Sequence, residues 1–123
     1  MQGPSAPQRC DDLAVTPPDV PSVDPRDVGD DVLLDVREQD EWDAGHAPGA
    51  VHVPLSEFVE RLPEVPADRA VAVVCRSGHR SESATAFLVA QGRSARNVEG
   101  GMLTWAALGL PVEAAGGRPA RIA

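Results

Sequence analysis

The stretch "VAVVCRSGHRSESATAFLVAQG" (71–92) decides the fold class. With Ala70 it opens on "AVAVVC" (70–75), a near-continuous apolar run of the kind found in a strand buried on both faces of a parallel sheet. From Ser81 to Gln91 the period becomes helical. Ala84, Phe87, Leu88 and Gln91 fall at i, i+3, i+4 and i+7, and Gly92 supplies a stop. Cys75 therefore stands at the carboxyl end of a strand, on a loop that runs into a helix. The first N–H groups of a helix lack intrahelical partners, and they and the helix dipole favour an anion beside them. Arg76 and Arg80 add positive charge, and Gly78 lets the backbone turn its amides inward. Such a setting lowers a thiol's pKa. Glu82 opposes this unless it pairs with Arg76 or Arg80. Three readings fit: a sulfur carrier, a nucleophile toward a phosphate-type anion, or an inert buried thiol. Two arginines and a glycine within five positions argue for a reactive cysteine.

Outward from this unit the alternation continues. "DVLLDVR" (31–37) reads as a buried strand, "EQDEWDAG" (38–45) as a short helix closed by Gly45, and Ala50 to Val53 as a short strand. "SEFVERL" (56–62) reads as a helix with Ser56 as N-cap. "ARNVEGG" (95–101) holds a strand and a turn, "MLTWAALG" (102–109) a last helix, and 20–24 a short edge strand. The order predicts an α/β fold: a central, mainly parallel sheet with helices on both faces. Residues 1–19, rich in Pro and Asp, read as a flexible arm, 20–113 as the domain and 114–123 as a flexible tail.

Composition narrows the function. The 123 residues suit one domain, with 42% apolar content. The net charge is −8 and lysine is absent, which argues against nucleic-acid binding. No apolar run approaches membrane-spanning length, and the amino terminus lacks the apolar segment of a signal peptide. A cytoplasmic location is expected. Two cysteines, Cys10 and Cys75, make no disulfide framework. Cys10, in the arm, reads as an incidental thiol, with a resolving role toward Cys75 as the alternative.

Three motifs in order, "LLDVREQDEWDAGHAPGAVHVP", "VVCRSGHRS" and "VEGGMLTWAALGLPV", resemble the rhodanese family of sulfurtransferases over about residues 22–113. The resemblance implies a three-layer α/β/α fold. It also implies that Cys75 is a nucleophile that takes the outer sulfur of thiosulfate or a related donor. The resulting persulfide then passes its sulfur to cyanide or a thiol. Arg76, Ser77, Gly78, His79, Arg80 and Ser81 would form the substrate-binding loop, with Asp35 and Arg37 as scaffold. No metal or organic cofactor is implied. Two alternatives remain. One is a sulfur-relay module that accepts persulfide from a protein partner for cofactor or tRNA thiolation. The other is a phosphatase or arsenate reductase, but those relatives use Cys-x5-Arg and often carry His before the cysteine. Here Arg80 gives Cys-x4-Arg, Ser81 stands where the longer spacing needs Arg, and Val74 precedes Cys75.

The remaining marked residues carry milder expectations. Asp35 and Arg37, two apart on a strand, face one way at the same sheet edge as Cys75, as a charge pair bracing the loop or a local pairing with Glu38 or Glu41. His46 reads as a turn histidine bonded to the backbone, since it and His52 have no acid or cysteine to complete a metal set. His79, inside the loop, either adds positive charge at low pH or faces solvent. Trp42 and Trp105 read as helix anchors rather than stacking residues, and Gly100–Gly101 as a turn beside the site.

Overall fold

The computed structural model describes residues 20–123; the arm expected at 1–19, with Cys10, lies outside them. Five strands, β1 (Ser22–Val23), β2 (Val32–Asp35), β3 (Val51–His52), β4 (Val71–Val74) and β5 (Ala95–Val98), form one sheet in the order β1-β5-β4-β2-β3. Every pairing is parallel. Three α-helices accompany them: α1 (Gln39–Ala44) and α2 (His79–Ala90) connect β2 to β3 and β4 to β5, and α3 (Gly101–Ala107) follows β5.

Strand parity builds the layers. In β4, Val71 and Val73 belong to one buried cluster, whereas Ala72 and Val74 belong to another. The first cluster is closed by Ala84 and Leu88 of α2 and by Phe58 and Val65. The second is closed by Met102 and Trp105 of α3, with Val23, Val28 and Ala47. The central strands are thus buried on both faces, which is why their sequence is a run and not an alternation. Cys75 continues the odd parity and belongs to the first cluster, on the α2 side.

Three local expectations change. Residues 56–62 form no α-helix: two 3-10 turns, Leu55–Glu57 and Leu62–Glu64, flank a turn. Pro63 lacks an N–H and disfavours helical backbone at Leu62, and Pro54, not Ser56, occupies the cap. α2 starts at His79, two residues earlier than its apolar stripe indicates, because Gly78 at φ +108° is itself the N-cap. Residues 114–123, expected to fray, lie against the domain: the Arg121 amide donates to the Ala44 carbonyl at 2.9 Å, and Ile122 packs on the second cluster.

Candidate active site

The early start of α2 puts the loop after β4 directly against a helix N-terminus. Counting from Gly78 as N-cap, Ser81 is the third helical residue, and its amide is one of those without an intrahelical acceptor. Glycine has no side chain to cap that amide. The Cys75 sulfur does so instead, accepting from Ser81 N at 3.3 Å and Gly78 N at 3.1 Å. The Ser81 hydroxyl adds a third contact at 3.3 Å.

The thiol's acidity follows from two opposed effects. Burial pushes the pKa up. Hydrogen bonds from the Ser81 hydroxyl and from the Ser81, Gly78 and Ser77 amides outweigh it, so the thiol titrates below its ordinary value. The arginines contribute less than their positions suggest. Arg80 is held bidentate by Glu41 of α1, with both N–O distances 2.8 Å. That pairing lowers the Glu41 pKa to about 2 and raises that of Arg80. Arg76 is exposed and donates through Nε to the Ala123 carbonyl at 3.0 Å. The ion pair open to Arg80 is therefore made across 39 residues, with Glu41 of another element.

The second half of the loop's geometry comes from α3. The Met102 amide donates to the Cys75 carbonyl at 2.8 Å and the Leu103 amide to the Arg76 carbonyl at 3.0 Å. These are helix N-terminal donors seeking acceptors, and they fix the first two carbonyls of the loop, ahead of the Ser77 and Gly78 amides that bond the sulfur. The approach requires glycine: a Cβ on Gly101, at φ +61°, would stand 2.5 Å from the Cys75 carbonyl oxygen. The "GG" of the sequence is thus the seat of the active loop as well as a turn.

Asn97 in β5 was not singled out from the sequence. Its Oδ1 accepts from the Ser81 hydroxyl at 2.6 Å, and its Nδ2 donates to the Gly78 carbonyl at 3.2 Å. The serine has one proton and two acceptors, Asn97 and the sulfur. An uncharged polar residue inside a short strand, three before a glycine pair, is the sequence signal that marks it.

The other expected site residues fall elsewhere. Asp35 and Arg37 share the sheet edge with Cys75 but not its face, since they alternate with Leu34 and Val36 of the Cys75 cluster. They pair with each other, Nη2 to Oδ2 at 2.8 Å, and Arg37 also donates to the Gly45 carbonyl at 2.7 Å, linking the end of β2 to the end of α1. The loop residues Ser77 and His79 are exposed and touch each other at 3.3 Å. His46 bonds the Trp42 carbonyl at 2.7 Å, as a turn histidine should. Trp42 departs from expectation: it stacks on both His46 and His52, with ring centroids 3.7 and 4.6 Å apart. No group of three candidate metal ligands exists among the described residues. None of their helices is long and apolar enough to cross a membrane.

The model of the rhodanese-like domain matches residues 23–108. A sulfurtransferase of Allochromatium vinosum is 40% identical over 89 residues, covering 72% of this chain and 83% of that protein. An HTH-type transcriptional regulator of Mycobacterium tuberculosis is 38% identical over 90 residues, but the match spans only 40% of the regulator. Among solved structures, a rhodanese-related protein from Thermoplasma volcanium superimposes with a TM-score of 0.71 at 33% identity, over 75% of this chain and 96% of that one.

Proposed function

The chain belongs to the rhodanese-like domain family, and on that premise we propose that it moves sulfane sulfur through a persulfide on Cys75. The Cys75 thiolate attacks the outer sulfur of thiosulfate or a similar small anionic donor. A bond forms between Sγ and that sulfur while the sulfur–sulfonate bond breaks, and its electron pair leaves with sulfite. The thiolate's charge is now on the terminal sulfur of the persulfide. A cyanide ion or a thiolate then attacks the terminal sulfur, leaves as thiocyanate or a new persulfide, and returns Cys75 as thiolate. No metal or organic cofactor takes part.

The observation that carries the reading is the set of three donors on the Cys75 sulfur, Gly78 N, Ser81 N and Ser81 Oγ. They stabilise negative charge on sulfur before a donor arrives, and the inward-facing amides of the Arg76–Arg80 loop supply the pocket for the terminal sulfur. The Cys-x4-Arg spacing favours a single sulfur atom over a tetrahedral phosphate. Intact-mass measurement after thiosulfate treatment tests this: the wild type gains one sulfur and Cys75→Ser gains none. Sulfur gained by the variant would overturn the assignment.

One observation favours a second reading, the sulfur relay. Arg80 is neutralised by Glu41, and the Nε–H of Arg76 is taken by the main-chain oxygen of Ala123. A donor of lower charge, such as a protein persulfide, loses less from this than the thiosulfate dianion does. Rapid sulfur transfer from a cysteine desulfurase together with slow loading by thiosulfate would select the relay; the reverse would select thiosulfate.

A further inference from the structure

The segment after α3 returns across the molecule to the active loop. It is first pinned at Glu113, which exchanges two backbone hydrogen bonds of 2.8 Å with His46. It passes α1, where the Arg121 amide bonds Ala44 and the Arg121 backbone packs so close to Gly45 that a Cβ there would collide with it. Ile122 then anchors on the core, and the Ala123 carbonyl takes the Arg76 Nε–H. Between α1 and this segment lies an open cleft of about 530 Å³, lined on one side by Asp40 and Asp43 and on the other by Arg118 and Arg121. The segment is therefore seated at points along its length and not packed throughout. Beside it, Cys75 is only 1% exposed, so a donor needs an opening to reach the sulfur.

We propose that residues 118–123 are a strap that competes with the anionic sulfur donor for Arg76 and thereby sets the affinity of the site for small anions. A sulfonate is held best by two parallel N–H groups of a guanidinium, and the Ala123 carbonyl occupies one member of such a pair, Nε. Donor binding at the Nε–Nη2 edge of Arg76 and strap docking on that edge exclude each other. The proposal rests on the reading of Cys75 as sulfur acceptor, but its core, anion against strap at Arg76, is measurable without turnover.

Trypsin reports the strap directly. Arg118 precedes Pro119 and resists cleavage, so the Arg121–Ile122 bond is the reporter within the segment. In Cys75→Ser, which binds a donor without reacting, thiosulfate accelerates cleavage of this bond. Gly45→Ala should release the strap without a donor. Gly45 has φ 171°, extended backbone that alanine adopts freely, so the added methyl acts on Arg121 and not on its own chain. Ile122→Ser, which removes the apolar anchor, is the second release variant. In both, the bond is cleaved faster without donor, each rate being taken relative to the same variant unfolded in urea, because Ile122→Ser also changes the residue after the scissile bond. KM for thiosulfate falls about fivefold, the worth of one net hydrogen bond, while kcat stays within about twofold. An unchanged KM in a variant with a released strap, failure of both variants to expose the bond, or indifference of the bond to thiosulfate overturns the strap. A wild type that takes no sulfur from thiosulfate, while thiosulfate still accelerates cleavage, overturns thiosulfate as the sulfur donor and leaves the strap standing.

Discussion

In the middle of the sheet, Leu34, Val71, Ala72 and Val73 are buried with apolar neighbours on both faces. A few residues onward, at the carboxyl ends of the strands, polar side chains are buried on both faces, Ser81 and Asn97 beside Cys75 and Asp35 with Arg37 on the opposite face. The middle is held by transfer of apolar surface, where removing a side chain leaves a cavity. The edge is held by hydrogen bonds whose partners must all be present, because an abandoned buried polar group costs more than the bond contributes. One side-chain atom, Arg37 Nη1, is already buried without a partner among the described residues. This sheet thus concentrates its polar burial where strand ends and helix N-termini meet, the place in an open α/β sheet where ligands bind.

The hardest test of that comparison is Arg37→Ala. It leaves the Asp35 carboxylate buried without its guanidinium, and loss of about 3–5 kcal/mol in urea denaturation is expected. Leu34→Ala, in the middle, should cost about as much through its cavity. The two sites separate on replacement. Asp35→Leu with Arg37→Met removes the pair as a unit and should recover most of the loss, as apolar substitution of a buried ion pair does. An Arg37→Ala cost below about 1 kcal/mol would break the comparison.

The next effect is chemical. Ser81→Ala removes a hydrogen bond to the Cys75 sulfur, so the midpoint of its alkylation-versus-pH curve moves up. Loading at pH 7 should slow by about tenfold, the scale of one charge-assisted bond. Asn97→Ala should move the midpoint the other way. With Oδ1 gone, the single proton of the Ser81 hydroxyl serves the sulfur alone. The same change unties the Gly78 carbonyl and should cost about 1–3 kcal/mol of stability. Midpoint shifts of equal sign in the two variants would show that the serine proton is not shared.

These outcomes bear on what could be read from the chain itself. The doubly buried β4, the placement of Cys75 at its end and the role of Gly78 are local consequences of pattern and backbone geometry, and 71–92 contains them all. Asn97 and Glu41 are not local. Each acts on the active loop through a contact 16 to 39 residues away in sequence, and nothing in "RNV" or "DEW" announces the partner. Reading each stretch by its own pattern also explains the helix expected at 56–62, carried to Leu62 although Pro63 disfavours helical backbone there. It also explains the tail, whose small and charged residues look unstructured until Gly45 offers a bare backbone to lie on.

The smallest expected effect falls on the Glu41–Arg80 pair, which lies at the same edge but is partly open to water, with side chains 16% and 34% exposed. Glu41→Gln should therefore cost no more than about 1 kcal/mol at pH 7, far less than loss of Arg37. The pH dependence identifies the cause. The folded pKa of Glu41 is about 2, below the ordinary 4.5, because Arg80 holds it as carboxylate. A group with a depressed folded pKa contributes its full stability above the unfolded value and loses it as pH falls through the folded one. The stability gap between wild type and Glu41→Gln should thus be constant above pH 4.5 and close as pH falls toward 2. A gap that persists there would mean that the glutamine disturbs packing, and that α1 and the active loop are joined by contact and not by charge. Closure would make this pair the solvent-screened counterpart of Asp35–Arg37: the same two chemical groups at the same sheet edge, differing in cost because one pair is closed to water and the other is not.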